Sequence, residues 1–272
     1  MTPGVLVVYR WELRKLLSQK RTYLGLGAAV LVPLIFVVAL SFQKGQPNDV
    51  AFGRYVRESG LAIPLVLLLF GSIWLFPLIA ALVAGDIIAS EHHNGTMKTI
   101  FTRSLDRGQI FAGKALAALT YALAALFAMG ITAVVAGTIK SGFRPLIDLS
   151  GTSVPAPKAL GLVAASFAIY LLPLIAIVCF GLLLSALTRN SAAAVVGTLM
   201  FALLMQLIGI LPGLQALQPY LLTTQFQAWQ GFLRIPVDWS PVIRAAWLTA
   251  AYALPPLFAS YLLVIRGDVT GE

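Results

Sequence analysis

Six apolar runs, each near the length of a bilayer-crossing helix, constrain this chain more than any other feature. They lie near 23–42, 61–84, 111–138, 160–187, 191–211 and 243–265. A helix needs about 20 apolar residues to cross the hydrocarbon core. Burial of these runs in a soluble core fails on composition. Of the 272 residues, 59% are hydrophobic and 11% charged, whereas a soluble domain carries about 25% charged residues. A chain of this size has too little interior to hide that much apolar surface, so the surplus must face lipid. Pro33, Pro64, Pro77, Pro173 and Pro255 fall inside the runs or at their edges. Membrane helices tolerate proline where neighbouring groups satisfy the freed backbone. The expected fold is an all-α polytopic membrane protein with six transmembrane helices.

An even number of spans places both termini on one side. Arg10, Arg14, Lys15, Lys20 and Arg21 precede the first span, opposed only by Glu12, and this cluster makes both termini cytoplasmic. Lys98, Arg103, Arg107, Lys114, Arg189 and Arg266 fall on the same side. Lys44, Arg54, Arg57, Lys140, Arg144, Lys158, Arg234 and Arg244 fall on the other. The net charge of +9 is therefore read as membrane topology, with no nucleic acid as partner. The lone Cys179 cannot pair within the chain. The basic stretch ahead of the first run is too long for a signal-peptide n-region, so that run is expected to stay as a span.

Residues 5–21 form a different kind of segment. On a helical wheel Val5, Leu6, Tyr9, Leu13, Leu16 and Leu17 share about a third of the circumference, with Arg10, Arg14 and Arg21 beside them. This predicts an amphipathic helix in the cytoplasmic interface over 1–22, with Arg10, Trp11, Glu12 and Arg14 as its characteristic residues. The single six-helix domain would then occupy 23–265 and a short cytoplasmic tail 266–272.

The spans lack what several membrane activities need. No charged residue lies deep within them, and Asp86 stands at the end of the second. Ion-coupled carriers use buried ionisable groups, and an intramembrane hydrolase needs a polar catalytic set. No repeat relates the two halves, as it does in many carriers. Thr120, Thr132, Ser166, Ser185, Thr198 and Gln206 are read as bonds between neighbouring helices. His92 and His93 are adjacent, so on a helix they diverge and cannot grip one metal; no metal site is expected. Gly25-Leu26-Gly27 is read as helix packing. The stretch "GQIFAGKA", 108–115, matches a phosphate-binding loop except that Ala115 replaces the hydroxyl that holds magnesium. No buried strand delivers it and a membrane helix follows it, so it is not a nucleotide site. Its glycines are expected to turn the chain into the third span, and Lys114 to snorkel to the headgroups.

The loop 85–110 carries the most specific pattern. Asp86 ends the second span, Glu91 is followed by Gly95-Thr96, a short segment ends in Phe101-Thr102, and Arg107, Ile110 and Gly113-Lys114 lead into the third span. With "WELRK" at 11–15 and "GLLLSALTRNSAAAVVGTLMF" at 181–201, a tight turn at Arg189, this resembles the ABC-2 type permeases, the membrane subunits of ATP-binding-cassette exporters. Ser104 stands where that family often has proline, and His92 and His93 where a second acid often follows.

The resemblance implies a permease subunit that is not itself an enzyme. A short coupling helix near 96–103 would dock into a separate cytosolic ATPase subunit, which binds the ATP and magnesium; this chain holds no cofactor. The residues implied in coupling are Glu91, Gly95, Thr96, Lys98, Thr102, Arg103, Asp106 and Arg107. A second permease copy or a paralogue would complete the pathway within the lipid bilayer. Spans two and five would line it, which points to Trp74, Phe76, Thr198, Phe201, Met205 and Gln206. The substrate would be a lipid, amphipathic drug or peptide, and the location the cell (plasma or inner) membrane of a prokaryote. The outer segment 212–241 is either a re-entrant cap or an interfacial helix, with Tyr220, Phe226, Trp229, Phe232 and Trp239 suited to a headgroup-level belt. The competing readings are a secondary carrier or channel, and a membrane scaffold without transport.

Overall fold

The computed structural model describes residues 3–42, 51–93 and 106–266. Helix α1 (Pro3–Leu17) is followed at once by α2 (Lys20–Phe42). The second span, Ala62–Glu91, is broken into α3 (Ala62–Phe70), a π turn (Gly71–Leu75) and α4 (Phe76–Ala84), and continues through a short turn into α5 (Ala89–His93). The third is α6 (Arg107–Ser141). A two-residue hairpin, β1 (Leu146–Ile147) antiparallel to β2 (Ser153–Val154), joins it to α7 (Ala156–Thr188). Then come α8 (Ser191–Ile210), two 3-10 helices (Gln215–Tyr220 and Thr223–Leu233) and α9 (Ser240–Arg266). Among the described residues, six helices are long and apolar enough to cross a membrane, and they coincide with the six runs. The protein is a multi-pass, helical membrane protein.

The second span and α7 are the most enclosed, whereas α2, α8 and α9 leave most of their apolar surface uncovered. The break in the second span follows from Pro77, which has no N–H to donate back to the preceding turn. The π turn absorbs that loss, and Ser72 Oγ donates to the Leu69 carbonyl at 2.7 Å. At the other break, Ser185 Oγ of α7 accepts the N–H groups of Ile88 (3.1 Å) and Ala89 (2.9 Å). A side chain from a neighbouring helix thus does what a cap residue does for the amides opening α5. The turn between α7 and α8 is as tight as expected: Arg189 is left-handed at φ 51°, and the Asn190 side chain accepts from Ala193 N–H at 3.1 Å.

The polar groups of the spans mostly do not bridge helices. Thr132, Ser166 and Thr198 donate to carbonyls one turn back in their own helix. Such local bonds satisfy a hydroxyl without any partner helix. Thr120 does the same but also meets Tyr9 of α1 at 2.9 Å, and Ser185 joins two elements as described. Of the paired glycines, Gly25 packs: a Cβ there would run into the Tyr121 hydroxyl, while Gly27 faces open space.

The segment 212–241 corrects the expectation of an aromatic belt. Phe226 and Trp229 are fully buried, and Phe226 meets Tyr170 with ring centroids 4.7 Å apart. Tyr170 lies about 21 Å along α7 from Ala156, at 1.5 Å per residue. The segment therefore folds back into the bundle. A 3-10 helix repeats every three residues, so Phe226 and Trp229 share an inward face. Tyr220 and Trp239 stay exposed, as a belt would require.

Candidate functional site

At the end of the bundle where α1 lies, six charged side chains gather around the ends of spans two and three. Val8, Glu12 and Leu16, spaced by four, form the buried stripe of α1. This differs from the expected apolar face, since Leu6 and Leu17 are exposed and an acid sits on the buried one. The reason lies in α6. A Cβ at Gly113 would meet the Val8 side chain at 2.6 Å, so only glycine lets α1 approach this closely. One residue on, Lys114 Nζ reaches Glu12 Oε1 and Glu91 Oε1, both at 2.6 Å, and the Ile87 carbonyl at 3.2 Å. Lys15 Nζ adds a contact to Glu91 Oε1 at 3.0 Å and stands 5.5 Å from the centroid of the Trp11 ring.

Two expectations about "GQIFAGKA" are thereby overturned. Gly108 and Gly113 lie inside α6, which begins at Arg107, so they make no turn. Lys114 is 2% exposed and does not snorkel. Two buried carboxylates hold it where it is, because an ammonium removed from water must be paired and hydrogen-bonded. With 35 residues, α6 is roughly 52 Å long against a hydrocarbon core of about 30 Å. Its first two turns therefore have length to spare beyond the hydrocarbon.

A second ion pair lies beside the first. Asp86 is buried at the end of the second span and pairs with Arg21 at the start of α2; the Ser191 hydroxyl at the start of α8 also donates to it. The two groups together join α1, α2, the second span, α6 and α8. Each sums to zero formal charge, which is how buried ions are tolerated.

The remaining site residues fall as follows. Gly95, Thr96, Lys98, Thr102 and Arg103, and with them the short helix expected at 96–103, lie outside the described residues. Asp106 is exposed at the start of α6, and Arg107 Nη1 donates to the Ile265 carbonyl of α9 at 2.8 Å. Arg10, Trp11 and Arg14 are exposed on α1. Glu12 and Glu91, each 1% exposed, cannot offer their carboxylates to a docking partner; they position helices instead. Phe76 and Thr198 are enclosed within this one chain, Phe76 edge-on to Tyr170 at 5.3 Å, so neither lines a surface pathway. Trp74 is exposed, Phe201 stacks on Phe180 at 3.9 Å, and Met205 and Gln206 are half-buried. Sequence reasoning missed the pairing roles of Lys15, Arg21 and Ser191, whereas Ser185 was read as a bond between neighbouring helices and is one. The one legible signal was Glu12, which breaks an apolar i, i+4 stripe.

A family model described as "Protein of unknown function (DUF2705)" matches residues 29–225. The chain belongs to that family. No curated protein matches it. The DUF2705 region holds Asp86, Glu91 and Lys114, whereas Glu12, Lys15 and Arg21, which pair with them, precede it.

Proposed function

We propose that this chain is the membrane-spanning permease subunit of an ATP-driven exporter of the ABC-2 type, with ATP and magnesium bound by a separate cytosolic ATPase subunit. The observation that carries this reading is the cluster on Lys114. Glu91 and Lys114 stand at the two span ends that flank residues 94–105, and they are ion-paired, with α1 bound into the same group. A displacement of that connection would move spans two and three and α1 together. This is what a chain that draws its work from a partner's nucleotide cycle requires. The N-terminal end is cytoplasmic in this reading, and the uncovered Val7, Trp11 and Leu17 of α1 meet the headgroup level.

Two apolar stripes remain open on the outside. Phe70, Trp74 and Leu78 line one face of the second span, and Val196, Met200 and Leu204 line one face of α8. A second permease copy meets these stripes, and the pathway for a lipid, amphipathic drug or peptide runs between the copies. The chain acts in the plasma or inner membrane and is not itself an enzyme. Purification of the tagged chain from its native membranes is the test. Recovery of a nucleotide-binding ATPase in stoichiometric amount supports the reading, and its loss of coupled activity in Arg107→Ala places the contact at the loop. A folded chain that never brings down an ATPase contradicts it.

A further inference from the structure

The far end of the bundle carries a cavity of about 170 Å³, lined by Thr224, Gln227, Gln230, Arg234 and Arg244 among others. Its floor follows from 3-10 geometry. Residues three apart eclipse on such a helix, so Thr224, Gln227 and Gln230 form one polar ridge. Phe226 and Trp229 lie on the buried side. Arg234 ends the ridge, and Arg244, one turn into α9, faces it across the cavity. Among the described residues, none of these five side chains makes a hydrogen bond or an ion pair within the protein. Arginines near membrane ends ordinarily find an acid or water, and a two-arginine fork with amide donors is the geometry that grips phosphate oxygens.

The acid that feels the charge of both arginines is Asp238, and its carboxylate is already engaged. Ser240 donates to Asp238 Oδ1 through both its N–H (3.0 Å) and its hydroxyl (2.7 Å). These bonds hold the carboxyl below its usual range, with Arg234 and Arg244 adding their fields. The cavity is also built rather than incidental. Leu149 N–H donates to the Leu233 carbonyl at 2.8 Å and Ile235 N–H to Ser150 Oγ at 2.8 Å, so the hairpin after α6 fixes the backbone on either side of Arg234.

We infer that this cavity binds a phosphate group, with Arg234 and Arg244 as the cationic donors and Gln227 and Gln230 as the amide donors. Its volume suits a headgroup and not a whole lipid. The site stands independently of any partner ATPase. Native mass spectrometry of the full chain in detergent tests it, with phosphatidylglycerol as probe and a galactolipid, which lacks phosphate, as comparison. The wild type retains one tightly held phosphatidylglycerol more than the double variant Arg234→Gln/Arg244→Gln. The affinity at that site falls at least about tenfold for each arginine lost. Gln227→Leu/Gln230→Leu, which keeps both charges, loses several-fold and guards against a misfolded arginine variant. Arg10→Gln/Arg14→Gln, at the other end, leaves that tightly held lipid in place. Competition by millimolar inorganic phosphate identifies a site for the free anion, and its failure to compete identifies the lipid headgroup. Equal retention of phosphatidylglycerol by wild type and double variant, or equal binding of the galactolipid, overturns the inference.

Discussion

The bundle carries basic side chains at both ends, and the two ends treat them in opposite ways. At the α1 end Lys114 and Arg21 are matched to Glu12, Glu91 and Asp86 in a packed, enclosed group. At the far end Arg234 and Arg244 border an open cavity with no ion pair among the described residues. Matched, buried charges hold helices in fixed relation, because removing one partner leaves the other stranded. Unmatched, accessible charges contribute little to stability and remain available to a ligand. The first end is thus built as a joint and the second as a receptor, although a count of lysines and arginines would class them alike.

Substitutions can break or sharpen that contrast. Lys114→Met should have the largest effect. It strands the buried Glu12 carboxylate and leaves Glu91 only Lys15 as partner, and should cost about 3–5 kcal/mol, read as a loss of thermal stability of the detergent-solubilised chain. Adding Glu12→Gln to it should recover part of the loss, and no recovery would mean that the pair is not coupled. Gly113→Val should cost about 1–3 kcal/mol by forcing α1 off α6, with increased proteolysis within residues 3–17 as the local readout. Ser185→Ala should cost about 1–3 kcal/mol, since it removes the acceptor for two amides at the start of α5. Hydrogen exchange at Ile88 and Ala89 reports it directly. Arg234→Gln/Arg244→Gln should change stability by no more than about 0.5 kcal/mol while affecting phosphate binding. A far-end loss as large as that of Lys114→Met would erase the distinction.

The spans were legible because lipid contact demands long uninterrupted apolar runs, and nothing else in a chain does. What was not legible is where distant parts of the sequence meet. Glu12 and Lys114 are separated by 102 residues, so no local pattern links them. Gly113 and Lys114 read as the lead-in to a span, when one is a contact point for α1 and the other its anchor. Phe226 and Trp229 read as interface aromatics because ring composition is the same at a headgroup belt and in a core. A period of three, in place of 3.6, separates the inward rings from the ridge Thr224, Gln227 and Gln230 once the segment is known to be a 3-10 helix.

Site-specific photo-crosslinking compares the two ends in a single measurement. Asp106 is exposed beside the joint and Arg234 is exposed beside the cavity, so a photoreactive residue at either leaves the packed groups intact. In native membranes position 106 should capture a protein that binds ATP and hydrolyses it, and position 234 should not. Absence of an ATPase adduct at 106, with the chain folded and inserted, would contradict the proposed role as a permease driven by a partner ATPase.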